Sequence, residues 1–228
     1  MFCHRCGVQA GDAAFCPNCG QSLTPSAGTA PPRPIWTAPS AVQAAAGRWL
    51  GEAWNLVMAD VGSYAIIALL FIVLNSVPLI QGALIAGFHI YTIKKLLGRN
   101  PQISDFFQGF NFFVPTLVAS LLIGLFTFLG TLACIIPGLV IAAMYKFTYL
   151  FIVDKRMDFW QAMQASHAVV KNDYFGFTMF LILAFLVNVV GALCLFVGLL
   201  VTIPMTFAAI TVAYREVVGF EPQTATSL

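Results

Sequence analysis

The sequence predicts an all-α membrane protein in which six transmembrane helices form three hairpins, with amphipathic interfacial helices beside them and a small zinc ribbon in front. Three observations predict this fold class. Of the 228 residues, 60% are hydrophobic and 9% are charged, whereas an ordinary soluble domain is about 25% charged. The apolar residues gather in three long stretches, and four cysteines stand in two pairs near the N-terminus. A formal charge of +2 is too small to indicate a nucleic-acid-binding protein.

The N-terminal segment, residues 1–22, carries two Cys-x-x-Cys pairs that are each followed by glycine. Tetrahedral Zn2+ takes four thiolate ligands at about 2.3 Å, and each C-x-x-C turn supplies two. A chain of under about 40 residues cannot build an adequate core, so the metal would supply most of the folding energy. We therefore predict a structural Zn2+ held by Cys3, Cys6, Cys16 and Cys19. The alternatives are two disulfides, disfavoured on a reducing side of the membrane, and a redox pair, which needs a βαβ unit around it.

The next two segments are a linker and an amphipathic helix. Residues 23–41 are rich in proline and read as a flexible linker. Residues 42–60 repeat apolar side chains with helical spacing, among them Trp49 and Trp54. Because two tryptophans on one face suit the headgroup boundary, we expect this helix to lie on the membrane. The alternative is that it packs on the protein's own bundle.

The segment 61–220 is the predicted transmembrane domain, and 221–228 form a C-terminal tail. Three apolar stretches, 61–93, 106–153 and 174–213, contain a single charged residue, Lys146. A membrane-spanning helix needs about 20 residues, so each stretch is long enough for a hairpin of two helices, the first only just. Candidate turns lie at 75–78, 134–138 and 194–198.

The basic residues lie between the hairpins and after the last one: Lys94, Lys95, Arg99, Lys155, Arg156, Lys171 and Arg215. The three hairpin tips carry no charge. By the positive-inside rule, both termini face the cytosol of a bacterial inner membrane. The N-terminus carries no pattern of a secretory signal peptide, which agrees with this orientation.

The sequence also repeats itself. "DFFQG" at 105–109 precedes the second hairpin as "DFWQA" at 158–162 precedes the third, and both fit an Asp-capped variant of the capping box at a helix start. A shift of 60 residues aligns "CIIPGLVI" with "CLFVGLLV". We expect three copies of a surface helix followed by a hairpin.

Polar residues within the apolar stretches are the candidate binding residues. Lys146 lies eight residues before Asp154, so it is about 12 Å below the end of its helix. A charge at this depth costs a few kcal/mol unless it reaches the interface, pairs, or lines a wet cavity. The candidate pocket comprises Lys146, Tyr145, Tyr149 and His89. The alternatives are a lysine that snorkels between the two tyrosines and a structural histidine.

Three further residues have structural interpretations. Asn188 is expected to form an interhelical hydrogen bond. Cys134 and Cys194 lie at hairpin tips, where they are expected to be small packing residues, with a disulfide as the alternative.

Two parts of the sequence resemble known families. "FCHRCG" and "FCPNCG" resemble the short zinc-ribbon heads of many bacterial membrane proteins, which implies the ligand role for the four cysteines. "IIPGLVIAAMYKFTYLFIVD" and "PMTFAAITVAYREVVG" resemble an uncharacterised six-helix integral membrane family related to the membrane domain of glycerophosphodiester phosphodiesterases. In those enzymes a separate barrel performs the hydrolysis, so the resemblance implies the architecture and no phosphodiesterase activity.

Two functional hypotheses follow. No catalytic motif is present, so we expect a non-enzymatic protein. The first hypothesis is a scaffold, adaptor or sensor whose cytosolic zinc ribbon binds a protein partner. Residues 1–20 contain one arginine and one aspartate, and this lack of net positive charge disfavours binding of nucleic acid by the ribbon. The second is a transporter or a lipid- or anion-handling protein with a cytosol-facing pocket near Lys146. The oligomeric state stays open.

Overall fold

A computed structural model describes residues 36–40, 42–194, 197–222 and 224. The chain divides into two units, Met1–Thr37 and Ala38–Leu228. The predicted zinc ribbon and most of the predicted linker lie outside the described residues, so the fold below is that of the second unit.

The described part of this unit is helical and contains no strand. Its α-helices are α1 Ala46–Met58, α2 Val61–Leu74, α3 Gln81–Leu96, α4 Phe113–Ala133, α5 Ile135–Met144, α6 Thr148–Asp154, α7 Phe159–Val170, α8 Tyr174–Leu193 and α9 Leu199–Val217. Short 3-10 segments, Pro78–Ile80 and Ile103–Phe112, precede α3 and α4. The all-α prediction is confirmed for these residues.

Four helical stretches are long and apolar enough to cross a membrane: Ile103–Ala133, Ile135–Asp154, Tyr174–Leu193 and Leu199–Val217. A fifth arises if α1 and α2, which meet at a bend of 102°, are counted as one span. The protein is therefore a membrane protein. With 14 and 16 residues, α2 and α3 fall short of the roughly 20 residues that a straight span requires, because the first apolar stretch must hold two helices and a turn.

The predicted turns fall where helices end. α2 ends before Asn75, α4 ends before Cys134, and α8 ends before Cys194. The first and third apolar stretches each contain a helix, a break and a second helix, and the second stretch contains α4 followed by α5 and α6. The breaks thus fall where the sequence predicts turns.

Helix α3 lies at the centre of the bundle. Twelve of its sixteen residues are buried, and it packs against the Ile103–Phe112 segment, α4, α6 and α9. A Cβ atom at Gly87 would overlap the main chain of Phe106, and one at Gly109 would overlap the main chain of α3. Only glycine permits this approach, so the segment before α4 is held tightly on the central helix.

The apolar face of α1 packs on the protein itself, mainly on α9. Trp49 is fully buried, its ring lies 5.2 Å and 5.8 Å from those of Phe180 and Phe177, and its indole N–H donates to Glu216 at 3.1 Å. Trp54 is 46% exposed. Trp49 therefore packs inside the protein's own bundle, as the alternative prediction has it, whereas Trp54 lies on the outer surface.

The charged residues gather where the helices of one end of the bundle meet. One ion pair joins the residue before α2 to the end of α3, Asp60–Lys95 at 2.7 Å, and another joins α1 to α9, Glu52–Arg215 at 2.7 Å. A third joins the residue after α6 to the C-terminal segment, Lys155–Glu221 at 2.7 Å. At the same end, Tyr214 donates to the buried Asp154 at 2.9 Å. The uncharged tips lie at the other ends of these helices, so the charge pattern used for the topology reflects a real polar end.

The neighbours of Asp60 at this polar end lower the pKa of its carboxyl group. Burial alone would raise its pKa, but hydrogen bonds from Lys95 and Ser63 and the charge of Lys95 outweigh burial and hold the pKa below its usual value of 3.8. The ion pair thus favours the charged form of Asp60.

The predicted Asp-led capping box is wrong for the second hairpin. The helical segment begins at Ile103 with Gln102 at its N-cap, and Asp105 at the third position accepts from the Gln102 N–H at 2.8 Å. Asp105 also accepts from Lys94 at 2.9 Å. Asp158 does stand at the N-cap of α7, but its side chain makes no capping hydrogen bond. The helical segment starts three residues earlier than predicted, so Asp105 falls at the third position, from which its side chain both caps the segment and pairs with Lys94.

Candidate ligand site at a helix break

The fourth predicted span is interrupted in its middle. α5 ends at Met144 and α6 begins at Thr148, and Tyr145, Lys146 and Phe147 form a turn between them. No proline or glycine lies in the turn. Such interruptions also arise where a side chain inserts into the hydrogen-bond ladder.

Ser166 of α7 is that side chain. Its Oγ accepts from the Phe147 N–H at 3.1 Å and donates to the Met144 carbonyl at 2.6 Å. Ser166 is fully buried. One hydroxyl therefore satisfies the donor and the acceptor that the break leaves free, which matters because water is scarce inside a membrane.

Lys146 occupies the turn, where it is half-buried. In the part of the chain that the structure describes, no carboxylate pairs with it. Its ammonium group is near enough to His89 for an electrostatic interaction. An ammonium without a counter-charge at membrane depth is the main unexplained feature of the bundle.

His89 is 1% exposed and lies on the central helix α3. Its Nδ1 lies 2.9 Å from Thr211 Oγ1, which donates its only hydrogen to the Phe207 carbonyl at 2.8 Å. Thr211 therefore accepts from His89 Nδ1, and in a neutral imidazole Nε2 is then the acceptor nitrogen. His89 is thus a buried side chain that is hydrogen-bonded to α9.

The two candidate tyrosines contact α4 at different points. Tyr149 donates to Ser120 Oγ on α4 at 3.3 Å, inside the bundle. Tyr145 faces Phe126 with ring centroids 6.2 Å apart and lines an open groove between α4 and α5. Lys146 thus interacts electrostatically with His89, but of the four predicted residues only Tyr145 lines this groove.

The other polar residues follow the structural interpretations in part. Asn188 donates to Thr206 Oγ1 at 2.6 Å, which confirms the predicted interhelical bond. Cys134 and Cys194 are both free and exposed, so the packing interpretation is wrong for them. Their chain breaks place them at hairpin tips, where no neighbouring helix covers the side chain.

The described residues contain no group of three or more His, Cys, Asp or Glu side chains that could hold a metal ion. The four predicted zinc ligands lie outside the described residues. Zinc binding therefore stays a prediction from the sequence.

Sequence reasoning missed the break and the role of Ser166. Ser166 is 19 residues beyond Phe147 and 22 beyond Met144. The apolar sequence around Lys146 carries no local signal for a turn, since the contact forms only when α7 packs on the break.

Comparison with known proteins leaves the function open. No protein-family model and no solved structure matches this chain. The chain is similar to "Uncharacterized protein Mb2590" of Mycobacterium bovis and "Uncharacterized protein Rv2560" of Mycobacterium tuberculosis, each 32% identical over 122 residues. The match covers 54% of this chain and 37% of each relative, so the chain spans well under half of their length.

Proposed function

We propose that this protein binds an anionic ligand inside its membrane domain, with the ammonium group of Lys146 as the anion-binding group. The observation that carries the proposal is the missing counter-charge. Five other basic residues of the bundle have a carboxylate partner, in the pairs Arg48–Glu216, Lys94–Asp105, Lys95–Asp60, Lys155–Glu221 and Arg215–Glu52. Among the described residues, Lys146 is the one basic residue that lies at membrane depth and has no carboxylate partner.

The chemistry of the break suits this role. An uncompensated charge at this depth costs a few kcal/mol, and a bound carboxylate, phosphate or sulfate would offset that cost. The turn places Lys146 outside regular helix, as discontinuous helices do where they line a binding cavity. His89 Nε2 is an acceptor nitrogen, so it accepts a proton or a hydroxyl and does not compete for the anion.

The topology that we propose contains six membrane crossings, with α5 and α6 forming one of them. Short helices α2 and α3 would cross a locally thinned bilayer or be shielded by neighbouring helices. The polar end with its ion pairs faces the cytosol of the bacterial inner membrane, as the positive-inside rule requires. The ligand would then enter from the cytosol or from the inner leaflet.

The test uses the full chain in dodecyl maltoside micelles and two anionic probes, sn-glycerol 3-phosphate and 1-oleoyl-lysophosphatidylglycerol, with bound probe counted by native mass spectrometry. A charge-assisted contact is worth about 1.5–3 kcal/mol, so Lys146→Met should weaken binding of at least one probe by about tenfold or more. Lys171→Met is the matched control, since Lys171 is exposed at the end of α7. Lack of binding by both probes, or equal binding by wild type and Lys146→Met, would refute the proposal.

A second candidate function is favoured by the cysteine spacing at the N-terminus. The doubled C-x-x-C pattern supports a structural zinc ribbon on a proline-rich linker, and a tethered module of this kind suits capture of a protein partner over a wide radius. The scaffold or adaptor role does not conflict with the Lys146 site. A pull-down that recovers the same partners with and without residues 1–41 would exclude it.

A further inference from the structure

The C-terminal segment folds back over the end of α6. Helix α9 ends at Val217, and Gly219 follows with a φ of 78°, a left-handed conformation that suits glycine and reverses the chain. The Gly219 N–H closes this turn by donating to the Tyr214 and Arg215 carbonyls at 3.2 Å and 3.1 Å. The residues that follow are named the C-terminal strap here: Phe220, Glu221, Pro222 and Thr224.

The strap is bonded to Asp154, the last residue of α6. Asp154 is 3% exposed, and its Oδ1 accepts from the Glu221 N–H at 3.0 Å. Its main-chain carbonyl accepts from the Thr224 hydroxyl at 2.8 Å. The side chains of Glu221 and Lys155 add an ion pair at 2.7 Å. The strap therefore supplies a main-chain donor to a buried carboxylate.

Helix α6 is a short half-helix that is held at both ends. It has seven residues, which is about two turns, and a helix of this length is marginal without contacts from its neighbours. Ser166 holds the end at the break by bonding the Phe147 N–H, and the strap holds the end at Asp154. Loss of one turn would leave a single turn beside the break, so an opening at Asp154 would spread to the break.

Main-chain hydrogen bonds run from the strap to the turn that contains Lys146. The Lys155 N–H donates to the Phe151 carbonyl at 3.1 Å, and the Phe151 N–H donates to the Phe147 carbonyl at 3.0 Å. The first N–H of α6 donates to the carbonyl of the residue before Lys146 at 3.2 Å, which closes the turn. Two consecutive helical turns therefore connect the strap to the break.

Resting on the proposed function, we propose that the C-terminal strap regulates access to Lys146. While the strap is bound, α6 stays helical and the turn stays closed. When the strap leaves, the Asp154 carboxylate loses its main-chain donor, and a buried charge without its donors is costly until water reaches it. Water reaches Asp154 when the last turn of α6 opens, and this opening frees the break and exposes the Lys146 ammonium group toward the polar end.

The attachment of the strap is weak enough to be reversible. Pro222 is exposed, and the Glu221 side chain is 35% exposed. An ion pair at such a position contributes little, so the two hydrogen bonds to Asp154 carry most of the attachment. Segments held by a few contacts open locally without global unfolding.

The experiment measures the reactivity of Lys146 in the full-length protein in dodecyl maltoside micelles, without any ligand. Sulfosuccinimidyl acetate acetylates lysine side chains, and peptide mass spectrometry gives the rate at Lys146 relative to the exposed Lys171. Hydrogen–deuterium exchange of the same samples reports whether α6 opens.

Two strap variants and one control are compared. Glu221→Pro removes the N–H that donates to Asp154, so this bond is absent by construction, and it removes the ion pair as well. Thr224→Val removes the hydroxyl bond and keeps the shape of the side chain. Thr131→Val is the matched control, because its hydroxyl donates to a carbonyl of its own helix, α4, near the opposite, uncharged end.

The expected changes follow from the bonds that are lost. A hydrogen bond to a charged group shifts an opening equilibrium by about tenfold or more, and a neutral one by about twofold to tenfold. Glu221→Pro should therefore raise the relative rate at Lys146 about tenfold or more, and Thr224→Val about twofold or more. Amide exchange across 148–154 should rise with it. Thr131→Val should match wild type, and exchange within α8 should not change in any variant.

Wild-type reactivity of Lys146 in both strap variants would overturn the inference, because the strap contacts would then be lost without effect. If Glu221→Pro raises exchange throughout the chain, that variant has not folded and Thr224→Val decides. Wild-type reactivity of Lys146 in Thr224→Val would in that case overturn the inference.

The proposed function fails or stands separately. If the strap variants expose Lys146 but Lys146→Met binds sn-glycerol 3-phosphate and 1-oleoyl-lysophosphatidylglycerol as wild type does, the strap stands and the anion site fails. If Lys146→Met weakens binding while both strap variants react as wild type, the anion site stands and the strap fails.

Discussion

Replacing Ser166 by alanine should open the helix break locally. The substitution removes a hydroxyl that is fully buried and makes two main-chain hydrogen bonds, one from Phe147 N–H at 3.1 Å and one to the Met144 carbonyl at 2.6 Å. Both main-chain groups would then lie without a partner in an apolar interior. The helix cannot recover them by itself, because the turn prevents the regular ladder from forming between α5 and α6.

The magnitude follows from the two bonds. Side-chain hydrogen bonds in membrane proteins average about 0.6 kcal/mol, and an unpaired buried main-chain group costs about 1–3 kcal/mol. Two lost hydrogen bonds at the lower figure and two unpaired groups at the upper one bracket the destabilisation between about 1 and 6 kcal/mol. Amide exchange across 144–150 should accelerate by about fivefold or more, since 1.4 kcal/mol corresponds to tenfold.

The assay is hydrogen–deuterium exchange with peptide-level mass spectrometry, together with thermal unfolding in micelles. Ser104→Ala serves as the control, because Ser104 is exposed and its hydroxyl has one weak contact at 3.5 Å. Exchange in the segment around Lys146 should rise in Ser166→Ala and stay at the wild-type rate in Ser104→Ala. Unchanged exchange of the Phe147 amide in Ser166→Ala would show that Ser166 does not stabilise the break.

Three further predictions concern other parts of the chain. The folded pKa of Asp60 is held below 3.8, so its ion pair with Lys95 stabilises the protein above about pH 4 and loses its effect as the pH falls through that folded pKa. Asp60→Asn should therefore lower stability by about 0.2–1 kcal/mol at pH 7. A difference in unfolding temperature that does not shrink as the pH is lowered below about 4 would contradict this origin. Trp49→Phe keeps the ring packing but loses the 3.1 Å indole hydrogen bond, so it should destabilise the fold by about 0.5–1.5 kcal/mol, whereas Trp54→Phe at the exposed position should not shift the unfolding temperature. If the N-terminal cysteines bind zinc, a colorimetric release assay should find one Zn2+ per chain in the wild type and a lower zinc affinity in Cys16→Ser. A wild-type chain that is free of metal after purification under reducing conditions would refute the site.

Several features of the fold could be predicted from the sequence because they depend on consecutive residues. The uncharged stretches locate the apolar helices, and the three breaks at Asn75, Cys134 and Cys194 fall inside the turns that proline, glycine and asparagine indicate. The number of crossings could not be derived with the same certainty. Helices of 14 and 16 residues are long enough to be helices but too short to satisfy the length rule for a straight span.

The site was predicted residue by residue but not as an arrangement. Lys146 stood out because a charge within a long apolar stretch is visible in the sequence alone. The chain could not show that Tyr145 lines a groove while Tyr149 donates to Ser120, because both placements depend on how α4 packs on the break. Likewise, the burial of Trp49 depends on which surface the α1 helix contacts.

The sequence by itself determined the class of protein, the order of its helices and the end at which its charges gather. Hydropathy and charge are properties of consecutive residues, and they act on the membrane before any helices pack together. Tertiary structure alone decided which charges are neutralised and where a helix is interrupted. The physical reason is that an ion pair or an inserted hydroxyl joins residues distant in the chain, as Arg215 joins Glu52, and its energy exists only after the helices have packed.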